Sequence, residues 1–134
     1  MEHEFNKVVA FCPAVMEYSP YWLPHHTNQY LADHPTIDGD LLWKLRLFGI
    51  LEFFPPWEWT ANNPLDRVRT ADFSLPPIFL SDNDHDQYGF NFGTETFTKL
   101  LQQRELSAQL FKETGRHCVH SAEMNKAASD FVGL

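Results

Sequence analysis

RVRTADFSLPPIFLSDNDHDQYGFNF, residues 67–92, decides how the chain folds, because two apolar runs bracket an acidic, turn-rich loop. RVRTADFSLPPIFL and QYGFNF read as two strands, the second presenting Phe90 and Phe92 on one face. Asp82, Asp84 and Asp86 then stand at the tip of a hairpin, where polar side chains meet water. Proline cannot donate to a strand ladder, so Pro76-Pro77 confines the first strand to a sheet edge. A hairpin here implies antiparallel pairing.

Working outward toward the N-terminus, Pro13, Pro20, Pro24 and Pro35 punctuate the first third, which reads as irregular chain packed by aromatics, with one short helix near Thr27–Ala32. NKVVAFC before it concentrates β-branched and aromatic residues and predicts a strand. From Asp38, a capping residue, DLLWKLRLFGILEFF predicts a helix that Pro55-Pro56 stops. Its apolar side chains cover nearly the whole circumference, which predicts a buried central helix. Leu41, Trp43, Leu45 and Leu47 also alternate with Lys44 and Arg46, so a strand over 41–48 is the rival and residues 39–54 stay open between the two. In PPWEWTANNP, Trp57 and Trp59 point to the same side if the piece is extended.

Toward the C-terminus, Thr94 offers a cap for TETFTKLLQQRELSAQLFKETG, with Gly115 as its stop. Phe97, Leu100, Leu101, Ala108 and Phe111 fall on one helical stripe, whereas Leu106 and Leu110 fall on the opposite side. Either a second element covers those two leucines or the helix breaks near Gln103. Ser121 caps a last helix that turns Ala127, Ala128 and Phe131 toward the core. The fold class read from these signals is α+β: a small antiparallel sheet packed against about three helices, as a single domain over 1–134 with an irregular N-terminal third.

The 134 residues are 43% hydrophobic and 15% aromatic, with twelve Phe and four Trp, enough apolar surface to offset the entropy of folding. Net charge is −8, which argues against direct nucleic-acid binding, since phosphate contacts require clustered Lys and Arg. A basic partner is the natural complement. Residues 1–66 hold nine acids against three bases, and residues 67–134 hold nine against seven, so the first half is the more acidic. The N-terminus MEHEFNKVVAF carries acids where a secretory signal carries bases, and the apolar run 41–54 is charged and short of a bilayer span; the expected location is cytoplasmic, away from membranes. In that reducing compartment Cys12 and Cys118 read as buried or idle thiols.

Asp82, Asp84 and Asp86 match ligand positions 1, 3 and 5 of an EF-hand calcium loop, but Gln87 stands where the turn wants Gly and Gly93 where a bidentate Glu is needed. The strand PIFLS followed by Asp82-Asn83-Asp84 resembles the nucleophile-and-acid pair of phosphotransferases of the haloacid dehalogenase type, which would imply an attacking Asp82 and a proton-donating Asp84. His85 departs from the Thr or Val usual there, and about fifty residues remain for a fold that needs several further βα units. His117, Cys118 and His120 in RHCVH, with His25 and His26 as completers, offer zinc donors, yet no C-x-x-C or H-E-x-x-H accompanies them. No G-x-S-x-G elbow or phosphate-cradling loop occurs. The expectation is therefore no metal, no cofactor and no catalytic residue.

What remains is acidic groups and aromatics on irregular chain. The leading expectation is a non-catalytic inhibitor, of the immunity-protein, antitoxin or phage-inhibitor kind, docking on a basic toxin or nucleic-acid-binding enzyme. Asp82, Asp84, Asp86, Tyr88, Trp57, Glu58 and Trp59 are the expected partner-binding residues. The alternatives are a small metal-dependent hydrolase using the aspartates or His117 and His120, and a structural subunit that forms a homodimer through Leu106 and Leu110.

Overall fold

The structure, a computed structural model, describes residues 6–70 and 74–134. The N-terminal MEHEF and residues 71–73, part of the run read as the first hairpin strand, lie outside the described residues.

Three strands form one sheet in the order β1-β2-β3: β1 (Val8–Phe11), β2 (Ile78–Asn83) and β3 (Ala108–Glu113). Both pairings are parallel, Val8 lying against Ile78 and Ile78 against Ala108. The antiparallel hairpin is thereby overturned. Its second strand does not exist: Gly89 takes a left-handed φ of 74° and opens a helix at Phe90, so QYGFNF is a turn followed by a first helical turn. The acidic loop is a strand-to-helix connection, and parallel strands require such crossovers.

Six helices surround the sheet among the described residues, twice the number expected. α1 (Pro24–Asp33), α2 (Gly39–Glu52), α3 (Trp57–Asn62) and α4 (Pro64–Thr70) fill the long connection from β1 to β2. α5 (Phe90–Gln103) carries the chain from β2 to β3, and α6 (Ala122–Val132) closes it. Of the run read as the first hairpin strand, residues 67–70 belong to α4 and β2 begins only after Pro76 and Pro77, and the Pro77 carbonyl accepts from Val8 N–H at 2.9 Å. β2 is consequently the central strand, buried from Phe79 to Asn83.

The run 94–115 divides into α5 and β3, so the break near Gln103 is the alternative that holds. Glu105, at φ 61°, ends the helical path. Leu110 then belongs to β3, paired with Leu80, and Leu106 packs on the cluster of Val68, Leu101 and Ala108. Asp38 caps α2 by accepting from Leu41 N–H, and Ser121 caps α6 by accepting from Met124 N–H at 3.0 Å. α2 is a helix, which settles residues 39–52, but it is not central. Leu42 and Gly49 face inward, Gly49 close against Pro20, while Leu47, Phe48 and Leu51 are exposed.

A second core cluster, Tyr18, Tyr30, Ile37 and Leu42, gathers the N-terminal aromatics, with Trp22 and Phe92 packed against it. At Gly93 the backbone of α5 passes so near the 15–17 segment that a Cβ would lie 1.9 Å from the Val15 carbonyl oxygen. The two cysteines are joined, Cys12 to Cys118, with Cα atoms 5.5 Å apart, so the expectation of free thiols is corrected. The parallel sheet brings the end of β1 beside the loop that follows β3, a proximity invisible at a sequence separation of 106. Among the described residues no helix is long and apolar enough to cross a membrane.

Candidate functional site

Because all three strands run the same way, the segments that follow them collect at one edge of the sheet. In open parallel sheets that edge is where ligands bind, since strand ends and helix starts converge there. Here it receives Cys12 after β1, Asp84 and Asp86 after β2, and His117, Cys118 and His120 after β3.

The two later loops are laced together. Asp84 N–H donates to the Glu113 carbonyl at 2.9 Å and His85 N–H to the Gly115 carbonyl at 3.0 Å. Asp84 Oδ1 in turn accepts from Gly115 N–H at 2.9 Å and from His85 Nδ1 at 2.6 Å. Those bonds favour the ionised form, the Gly115 bond most, and hold the Asp84 pKa below the usual carboxylate range. Asp84 is exposed and acts as a staple between loops.

Asp86 has another role. Its side chain is buried, and Oδ2 accepts from His117 Nδ1 at 2.6 Å while Oδ1 accepts from Tyr88 N–H at 2.8 Å. The acid is thus fixed at both oxygens. His117 is equally constrained: its backbone N–H donates to Gln87 Oε1 at 3.1 Å, and its ring stands edge-on to Tyr88 and Phe90, centroids 5.1 and 5.5 Å away. Tyr88 and Phe90 stack on each other at 5.4 Å. Among the described residues nothing hydrogen-bonds Nε2, and the side chain keeps 23% of its accessible surface. A buried carboxylate on Nδ1 sets the tautomer that leaves Nε2 free to accept a proton.

Asp82 lies on β2 opposite Lys112, buried, with Oδ2 lacking a hydrogen-bond partner. Burial pushes its pKa up to about 7, and the Glu95 charge adds to the rise. The three aspartates therefore go to three environments and do not converge on a cation. Among the described residues one group of three metal-ligating side chains lies together, Cys12, Cys118 and His120, all ligand atoms within 4.8 Å of one another. His117, expected with Cys118 and His120, is engaged by Asp86 instead. The rings of His25 and His26 lie 4.0 Å apart, tilted by 58°, in the first turn of α1.

Of the other expected partner-binding residues, Tyr88 is half-buried, its carbonyl accepting from Tyr18 Oη at 3.3 Å. Trp57, Glu58 and Trp59 sit in α3, where Trp57 is exposed and Trp59 is buried against Phe53 at 5.6 Å; the helical turn puts the two tryptophans on different sides. They make no hydrogen bond, ion pair or ring contact with residues 82–88 among the described residues. A cleft of about 520 Å³ between Glu17, Trp22, Tyr30, His34, Trp59 and Arg69 is lined by none of Asp86, His117, Cys12, Cys118 and His120. It contains an Arg69–Asp66 ion pair at 3.6 Å and no hydrogen-bonded acid–histidine pair.

Sequence reasoning missed the Asp86–His117 pair. An acid just after one apolar strand and a histidine just after the next is the signal that carries it, once the strands are read as parallel. No protein-family model, curated protein or solved structure matches this chain.

Proposed function

We propose that Asp86 and His117 are the acid and the base of a nucleophilic hydrolytic centre acting on an acyl substrate. What supports this reading is the 2.6 Å bond between buried Asp86 Oδ2 and His117 Nδ1, formed where successive parallel strands end. In α/β-hydrolases the acid and then the histidine follow in chain order on such a sheet, after the nucleophile. Asp86 holds the proton on Nδ1 and stabilises the imidazolium. Nε2 takes the proton of a hydroxyl as that group attacks the carbonyl carbon, then returns it to the leaving group. The attacking hydroxyl on this reading is that of a water molecule, which reaches His117 from solvent because the side chain keeps 23% of its accessible surface.

Two measurements test it. Imidazole ¹⁵N shifts are expected to report neutral His117 as the Nδ1–H tautomer, bare at Nε2, with that preference lost in Asp86→Asn. The protein is expected to turn over p-nitrophenyl acetate, and His117→Ala to slow it by about 10²–10⁴-fold. Undiminished turnover in His117→Ala sinks the reading.

A second reading keeps the acidic inhibitor of a basic toxin or nucleic-acid-binding enzyme. The observation that favours it is an apolar patch: Leu47, Phe48, Leu51, Phe54 and Trp57 are each 58–74% exposed at the corner of α2 and α3. On this reading the patch and the −8 charge meet the partner, while the loop contributes only Asp84, since Asp82 and Asp86 are buried. Co-purification of a basic partner, abolished by Leu51→Glu, is the expected result, and the absence of any basic partner removes the reading. The cytoplasmic location belongs to this reading with reduced cysteines; the Cys12–Cys118 bond fits an oxidising compartment better.

A further inference from the structure

We infer that Cys12, Cys118 and His120 form a redox-gated site for one thiophilic divalent cation such as zinc. The site stands beside the Asp86–His117 pair, shares no ligand with it, and is independent of the hydrolytic reading.

The geometry begins with backbone. Cys12 leaves β1 at φ 40° and Cys118 lies in its loop at φ 58°, both in the left-handed region that non-glycine residues rarely occupy. Each is held from outside. Cys12 N–H donates to the Ser81 carbonyl at 3.1 Å, and the carbonyl of Val119, between the two loop ligands, accepts from Asn83 Nδ2 at 2.9 Å. A disulfide alone would need nothing further. Yet His120 Nε2 lies 3.6 Å from Cys12 Sγ, and the Phe11 ring packs on that imidazole at 5.1 Å. Two thiolates and one imidazole are a known zinc set with a fourth position left for water or substrate, and ligand atoms around tetrahedral zinc stand about 3.5–3.8 Å apart. Cys12 is buried whereas Cys118 and His120 are exposed, so the fourth position faces solvent.

The cross-linked and metal-bound states exclude each other. While the sulfurs are bonded neither is a thiolate and the cation has only His120. A dithiol reductant opens the bond: the reductant becomes a disulfide, and Cys12 and Cys118 become thiols. A divalent cation then displaces one proton from each thiol and takes neutral His120 as third ligand, giving a centre without net charge. The same pair of sulfurs thus fastens β1 to the loop after β3 in an oxidising setting and offers a metal site in a reducing one.

Titration with Co²⁺ after phosphine reduction, without oxygen, tests this directly. One equivalent is expected to develop a sulfur-to-cobalt charge-transfer band, which Zn²⁺ then bleaches, while the oxidised protein develops none. His120→Ala leaves the disulfide and the buried residues untouched and is expected to weaken Co²⁺ binding by at least about 100-fold. Cys118→Ser, checked for folding by circular dichroism, is expected to abolish the band. The inference is overturned if the reduced protein shows no band, if the oxidised protein shows the same one, or if His120→Ala binds as tightly as the wild type.

Discussion

Asp82 shows how one residue can read as surface and be core. Its carboxyl is enclosed in the central strand with Oδ2 unpartnered, and burial, aided by Glu95, pushes its pKa from 3.8 up to about 7. Between those values the folded chain keeps a proton that the unfolded chain has released, so stability falls as pH rises through that window and stays reduced above it. Asp82→Asn removes the ionisation. Its urea midpoint is expected to match the wild type near pH 3, below both values, and to exceed it at pH 8; an equal gain at both pH values would discard the burial argument. Asp82, Asp84 and Asp86 are chemically alike in the sequence. Their separate fates come from strand alternation and from partners more than 25 residues away, such as Gly115 and His117, which local pattern does not carry.

Elements were legible where local chemistry marks them. NKVVAFC became β1, Asp38 and Ser121 cap the helices they were expected to cap, and the helix near Thr27 is α1. They were misread where neighbours decide. α2 is apolar around its circumference, which argued for burial, yet it lies on the outside with one face inward. That distinction makes a sharp expectation. Leu42 has no accessible surface, and Leu42→Ala should cost about 3 kcal/mol by the cavity it leaves. Leu51 is 72% exposed, so Leu51→Glu should stay within about 0.5 kcal/mol of the wild type while placing a charge in the apolar patch. Denaturant unfolding of both variants checks this, and a cost at Leu51 equal to that at Leu42 would mean that α2 is covered in the folded protein.

For the whole molecule, the decisive step is the direction of β2 and β3. The loop 82–89 has the turn residues of a hairpin, and a strand-to-helix connection uses the same residues, so the loop alone cannot say whether the chain returns antiparallel or crosses over. Crossing over makes the strands parallel, and parallel strands bring Cys12, Asp86 and His117 to one edge; the candidate site was hidden for the same reason the sheet was. The bond that spans this edge ties β1 to the loop after β3 and closes a sequence separation of 106 residues. In the chain-entropy account a cross-link over a loop of that size limits the unfolded ensemble by about 4–5 kcal/mol, a large part of the stability of a domain this long. Phosphine reduction, in the absence of metal, should therefore lower the urea midpoint by a corresponding amount without changing the secondary structure seen by circular dichroism in buffer. The Cys12→Ser/Cys118→Ser double variant should unfold at the reduced protein's midpoint and ignore the phosphine. A wild-type midpoint indifferent to reduction would mean that the end of β1 and the loop after β3 are each held to β2 by the Cys12–Ser81, Asn83–Val119 and Asp84–Gly115 hydrogen bonds, and that the sulfurs add nothing to the fold.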